Sequence, residues 1–127
     1  MKKPRWLSAS AARAIHGELL AEHGGPTGGD DDRLESTLVR PKNAAAYEDA
    51  NLAELAASYG FGFAKNHCFV DGNKRMALAA MSVFLLLNGK RLSASETEAV
   101  AVIMDLATDE MTEIQLAKWI RKNTVSR

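Results

Sequence analysis

Between Asn66 and Arg75 the chain reads NHCFVDGNKR, gathering a histidine, a carboxylate, a glycine, an amide and two cations in one short segment. An apolar helix is expected to begin at about Asn73, so Lys74 and Arg75 fall in its first turn. The helix macrodipole disfavours cations there, each by roughly 0.3–1 kcal/mol at an exposed site. An anion bound at the same end reverses that preference. The free N–H groups of a helix start bind anions, Gly72 lets backbone approach a phosphate closely, and Lys74 and Arg75 add charged donors. Asp71 is a hard oxygen donor beside that position and could hold a magnesium ion that keeps several waters and bridges phosphate oxygens. His67, four residues earlier, is the one nearby general base. Histidine ordinarily titrates near neutrality, so it can take the proton of an attacking hydroxyl while the helix start and the cations stabilise charge on the transferred group. These residues describe a phosphoryl or nucleotidyl transfer site. A plainer reading of the same residues has Asp71 as a helix cap, Lys74 and Arg75 solvated, and His67 as a hydrogen-bonded loop histidine. Phe69 reads as a core anchor that pins the loop rather than as a substrate contact.

The elements that must position this segment are helical. Ala12, Ile15, Leu19 and Leu20 follow helical spacing behind Ser8 as cap, and Gly24-Gly25-Pro26 ends that first helix. A loop rich in Gly and Asp follows, and Leu34, Leu38 and Val39 then mark a short helix stopped before Pro41, with the preceding aspartates favourably placed at its N-terminus. From Pro41 to Asn51 no period is readable, and the segment is expected to be a loop, a single turn or a flap. Leu52, Leu55, Ala56, Tyr59 and Phe63 predict a third helix from about Leu52 to Lys65. Gly60 and Gly62 weaken it, and are best explained by close helix packing, since no dinucleotide fingerprint or phosphate loop surrounds them. The central helix, apolar around most of its circumference, is expected from about Asn73 to Leu87 and closed by Asn88-Gly89. Two more helices are expected, from about Glu96 to Thr108 behind Ser95 and from about Thr112 to Lys122. No strand alternation is convincing, so the fold class is all-α, a bundle of about six helices.

Composition bounds the function. At 127 residues and 13.8 kDa the chain is expected to form a single domain over 1–127, burying about two-thirds of its unfolded surface. Sixteen basic and sixteen acidic residues cancel, which argues against a dedicated nucleic-acid binder. One cysteine, Cys68, rules out an internal disulfide; with no leader pattern, and with an apolar stretch from Met76 to Leu87 too short to cross a bilayer, the expected location is the cytoplasm, away from any membrane.

From His67 to Arg75 the residues HCFVDGNKR resemble the HxFx(D/E)GN(G/K)R signature of the Fic/Doc proteins. Lys74, where AMP-transferring Fic enzymes carry Gly, is similar to the death-on-curing (Doc) branch, the toxins of toxin–antitoxin pairs. So are the stretch GGDDDRLESTLVRPKNAAAY from Gly28 to Tyr47 and the helix closing at Asn88-Gly89, which extends the resemblance over most of the domain. The resemblance implies a compact all-helical Fic fold and transfer of the terminal phosphate of ATP, with magnesium, to a threonine of elongation factor Tu, which halts translation. Carried over residue by residue, His67 would activate the target hydroxyl, Asp71 would serve the magnesium, and Asn73, Lys74 and Arg75 would hold phosphates. Lys65 would present a further cation to the nucleotide, or else is a solvated lysine at a helix end.

The chain departs from the Fic pattern at Leu78, where a second Arg would stand, and this puts adenylyl transfer in doubt. It also lacks the (S/T)xxxE(G/N) stretch by which many Fic proteins inhibit themselves, which implies a separate Phd-like antitoxin as partner. Two rival readings are an adenylyl transferase of the Fic type and a non-catalytic antitoxin-binding co-repressor. The intact set His67, Asp71, Asn73, Lys74 and Arg75 argues against the latter. Outside the signature, His16 and His23 are expected to be surface histidines; inside it, Cys68 is expected to be a passive small apolar residue.

Overall fold

The computed structural model describes residues 3–127. Six helices follow one another: α1 (Ala9–His23), α2 (Asp31–Tyr47), α3 (Leu52–Lys65), α4 (Asn73–Leu87), α5 (Glu96–Ala107) and α6 (Glu113–Lys122). Five begin on a side-chain cap that satisfies an otherwise unpaired backbone N–H. Ser8, Asp30 and Ser95 each accept from the residue three positions on, and Asn51 with Glu54 and Thr112 with Gln115 form reciprocal capping boxes. Helix α4 starts differently, on Gly72 at φ 80°, with no side-chain cap.

The expected stop before Pro41 does not occur. Helix α2 runs through Pro41 to Tyr47, so most of the expected loop or flap is helix and only a short turn precedes α3. A proline inside a helix removes one backbone bond and crowds the previous turn, at a cost of about 3 kcal/mol. Packing offsets that cost: Pro41 is buried, Arg40 grips Glu113 of α6 with two guanidinium bonds of 2.9 and 3.3 Å, and Ala44 to Ala46 favour helix.

Helix α3 lies at the centre, against α2, α4, α5 and α6, and contributes Tyr59 and Phe63 to a core shared with Met76, Met81 and Phe84 of α4. Its glycines permit this approach. A Cβ on Gly60 would meet Met81 Sδ at 2.3 Å, and one on Gly62 would meet Thr37 Cγ2 at 2.7 Å.

A small sheet adds to the expected helices. Strands β1 (Lys90–Leu92) and β2 (Thr124–Ser126) pair antiparallel, Arg91 opposite Val125. At the turn closing α4, Asn88 exchanges side-chain bonds with the backbone of Arg5, while the backbone of Arg127 donates to Gly89. Arg5 and Arg127 therefore meet at the C-terminal pole of α4, and the cleft described next opens at its other pole. No helix among the described residues is long and apolar enough to cross a membrane.

Candidate active site

The segment from Asn66 to Gly72 joins the end of α3 to the start of α4, and alternates between residues tied into the core and residues facing a cleft. Cys68 and Phe69 are buried, whereas His67, Val70 and Asp71 are exposed. Phe69 is the expected anchor: its ring stacks on Phe63, centroids 6.4 Å apart, and on the His16 imidazole at 3.7 Å. The Cys68 thiol sits 3.2 Å from Thr37 Oγ1, and burial pushes its pKa up, so it stays a protonated, inert thiol as expected.

Three contacts fix the backbone of this loop. Asn73 folds back, its amide accepting from Phe69 N–H at 3.1 Å and donating to Phe69 C=O at 2.8 Å. The glycine-rich loop after α1 runs antiparallel beside it, with Val70 N–H donating to Gly28 C=O and Asp30 N–H to Cys68 C=O. A side chain at Gly29 would strike the Cys68 carbonyl at 2.4 Å, which is why this strand-like approach needs glycine there. Finally, His16 Nε2 lies 2.8 Å from the Asp71 carbonyl oxygen.

The outward residues line a cleft of about 670 Å³. Its floor is the loop and first turn of α4, where His67, Asp71, Gly72, Asn73, Lys74 and Arg75 come together. One wall is Leu19 and His23 of α1, and the opposite wall is Val100, Ile103 and Met104 of α5, with Glu96 at its rim. Lys74 and Arg75 are exposed and have no ion-pair partner among the described residues. Two cations thus stand on an uncapped helix start, a place that repels them unless an anion binds. An exposed imidazole on the same floor can exchange a proton with a group held there.

Three expectations change. Lys65 does not line the cleft and pairs instead with Asp109 in the α5–α6 turn. Asp71 does not cap α4; Gly72 takes the cap position and leaves the Asp71 carboxylate against Gly25. His16 is not a surface histidine. It is buried under the loop, and its place four residues after Ala12 on the inward stripe of α1 was the available signal. His23 is exposed, as expected, on the cleft wall.

Comparison with known proteins agrees with this geometry. The family described as the Fic/DOC family matches residues 6–85, from the segment before α1 through most of α4. The chain is 32% identical over 120 residues to the protein kinase doc of Escherichia phage P1, covering 93% of this chain and 94% of that protein. It is 37% identical over 83 residues to the toxin Doc of Mycolicibacterium smegmatis, covering 64% of this chain and 59% of that one.

Proposed function

This chain belongs to the Fic/DOC family, and we propose that it is a Doc-type toxin acting as a protein kinase, with ATP as phosphate donor and a threonine of elongation factor Tu as acceptor. The observation that carries this reading is the meeting, on one cleft floor, of the exposed His67 with two cations that have no ion-pair partner among the described residues, on the uncapped start of α4. The similarity to the protein kinase doc supports phosphoryl transfer as the reaction.

In this reading the free N–H groups of α4, with Lys74 and Arg75, bind the triphosphate and turn its terminal phosphoryl group toward His67. Gly72 leaves room for backbone to approach it. His67 takes the proton of the threonine hydroxyl as the new oxygen–phosphorus bond forms and the bond to the leaving diphosphate breaks, releasing ADP. Lys74, Arg75 and the helix start stabilise the charge that develops on the equatorial oxygens. Asn73, whose amide bonds both the N–H and the C=O of Phe69, shapes the loop beneath the phosphates and keeps a second N–H with which to hold them.

The donor set fits magnesium. Among the described residues no three His, Cys, Asp or Glu side chains cluster into a ready cage, while the Asp71 carboxylate is exposed in the cleft. Magnesium keeps several waters and takes one or two carboxylates together with substrate phosphates. Asp71 would hold it, and when bound it would neutralise charge on the phosphate oxygens. A Phd-like antitoxin segment, silencing the enzyme by covering the cleft, has the apolar α5 wall of Val100, Ile103 and Met104 to rest on.

The test is the intact mass of elongation factor Tu after incubation with this protein, ATP and magnesium. One phosphoryl increment, absent with His67→Ala, is expected. An adenylyl increment, or equal modification by His67→Ala, would overturn the reading.

A further inference from the structure

His67 has a φ of 50°, in the left-handed region that residues bearing a Cβ uncommonly adopt. Its two chain neighbours show what imposes it, because both end on one hydroxyl. Asn66 Nδ2 donates to Thr37 Oγ1 at 2.8 Å, and the same oxygen lies 3.2 Å from Cys68 Sγ. Cys68 Sγ in turn reaches the Arg33 carbonyl at 3.6 Å. Since the amide can only donate and the carbonyl only accept, the protons run one way: Asn66 to Thr37, Thr37 to Cys68, Cys68 to the backbone of α2.

Thr37 is itself closely packed. It is fully buried on α2, and its methyl group lies where a Cβ on Gly62 of α3 would come within 2.7 Å. The hydroxyl is therefore a fixed point, carried by two packed helices, to which the residues before and after His67 are tied.

We propose that Thr37 is a positioning residue for the transfer reaction: by holding Asn66 and Cys68 it keeps His67 in the left-handed conformation that presents its imidazole to the cleft. Thr37 is fully buried and does not line the cleft. The role rests on the reading of His67 as the base of a phosphoryl transfer.

The experiment uses the full chain with Thr37→Val, which keeps the shape and removes the hydroxyl, and Thr37→Ser, which keeps the hydroxyl and removes the methyl. Two readouts are taken: phosphoryl transfer to elongation factor Tu, as kcat and as KM for ATP, and hydrogen exchange of the Phe69 and Val70 amides, whose acceptors are Asn73 and Gly28. Thr37→Val is expected to lower kcat by about tenfold or more with KM for ATP within about twofold, and to speed exchange at both amides. Thr37→Ser is expected to recover most of kcat. An unchanged kcat in Thr37→Val overturns the proposal, as does a Thr37→Ser protein as slow as Thr37→Val, which would assign the effect to methyl packing on Gly62. If Thr37→Val does not fold, Asn66→Ala removes one limb alone; a lowered kcat supports the role and an unchanged kcat overturns it. If the wild-type protein transfers no phosphate, the kinase reading fails, and the exchange data decide Thr37 by themselves: lost protection upholds its hold on the loop and unchanged protection overturns it.

Discussion

The imidazole of His16 lies flat on the ring of Phe69, planes 7° from parallel and centroids 3.7 Å apart, while its Nε2 meets the carbonyl oxygen of Asp71 at 2.8 Å. A carbonyl only accepts, so Nε2 carries the proton and donates. One side chain of α1 thus braces the buried anchor of the loop and the backbone of its outward carboxylate.

Replacing His16 with Leu keeps apolar bulk on Phe69 and strands the Asp71 carbonyl. The expected cost is about 1–3 kcal/mol of stability, measured by urea unfolding, together with slower phosphoryl transfer. A variant as stable and as active as the wild type would show that the bond has no part in holding the loop.

Gly25 carries a second consequence for Asp71. With φ at 120°, it sits where a Cβ would come within 2.5 Å of Asp71 Oδ2. Gly25→Ala is expected to displace the carboxylate and to raise the magnesium concentration needed for half-maximal transfer by about tenfold, in a protein that still folds because the glycine is exposed. A magnesium titration checks this, and an unchanged midpoint contradicts it.

The α3–α4 contact is tested at Gly60. Gly60→Ala drives a methyl group toward Met81 Sδ and is expected to cost about 1–3 kcal/mol. Shortening the opposing side chain in Gly60→Ala/Met81→Ala should return part of that loss, giving a coupling of about 0.5–3 kcal/mol in a double-mutant cycle. Strict additivity would mean that the two helices can separate freely.

Alkaline stability follows from two buried groups. Burial raises the Tyr59 phenol from its ordinary value of 10.0, against the opposing effect of the Leu7 N–H bond, and raises the Cys68 thiol from 9.0. Below those ordinary values both states hold the protons and the stability is complete. Above them the unfolded chain releases protons first, so stability is lost as pH climbs toward the raised folded values. The urea midpoint is expected to be level near neutrality and to fall from about pH 9 upward. Tyr59→Phe should flatten the steepest part of that fall. It should also cost about 1–3 kcal/mol at neutral pH, since the buried Leu7 N–H loses its acceptor at 3.0 Å.

The parts of this structure that could be read from the chain are those fixed by near neighbours. Ser8, Asn51, Ser95 and Thr112 announce helix starts because a cap bonds to an N–H three residues away. The signature residues reach the cleft together because they lie close in sequence, in one short loop and the first turn of the helix that follows it. What was illegible depends on distant partners. Pro41 should end a helix by local rules, and it is overruled in part by Arg40 holding Glu113, 73 residues away. His16 owes its burial to Asp71, 55 residues on, and Lys65 is drawn from the cleft by Asp109. Strands of three residues, Lys90–Leu92 and Thr124–Ser126, are too short for alternation to register.

The meeting of Arg5 and Arg127 at the Asn88–Gly89 turn sets where the molecule can be handled. Helix α4 has 15 residues, so about 22 Å of helix separates that turn from the cleft. A fluorescent reporter or a surface tether attached at Arg5 or Arg127 would sit at the pole opposite the cleft and leave its mouth open. An attachment in the loop between α1 and α2 would instead stand beside Val70 and Asp71 on the cleft floor.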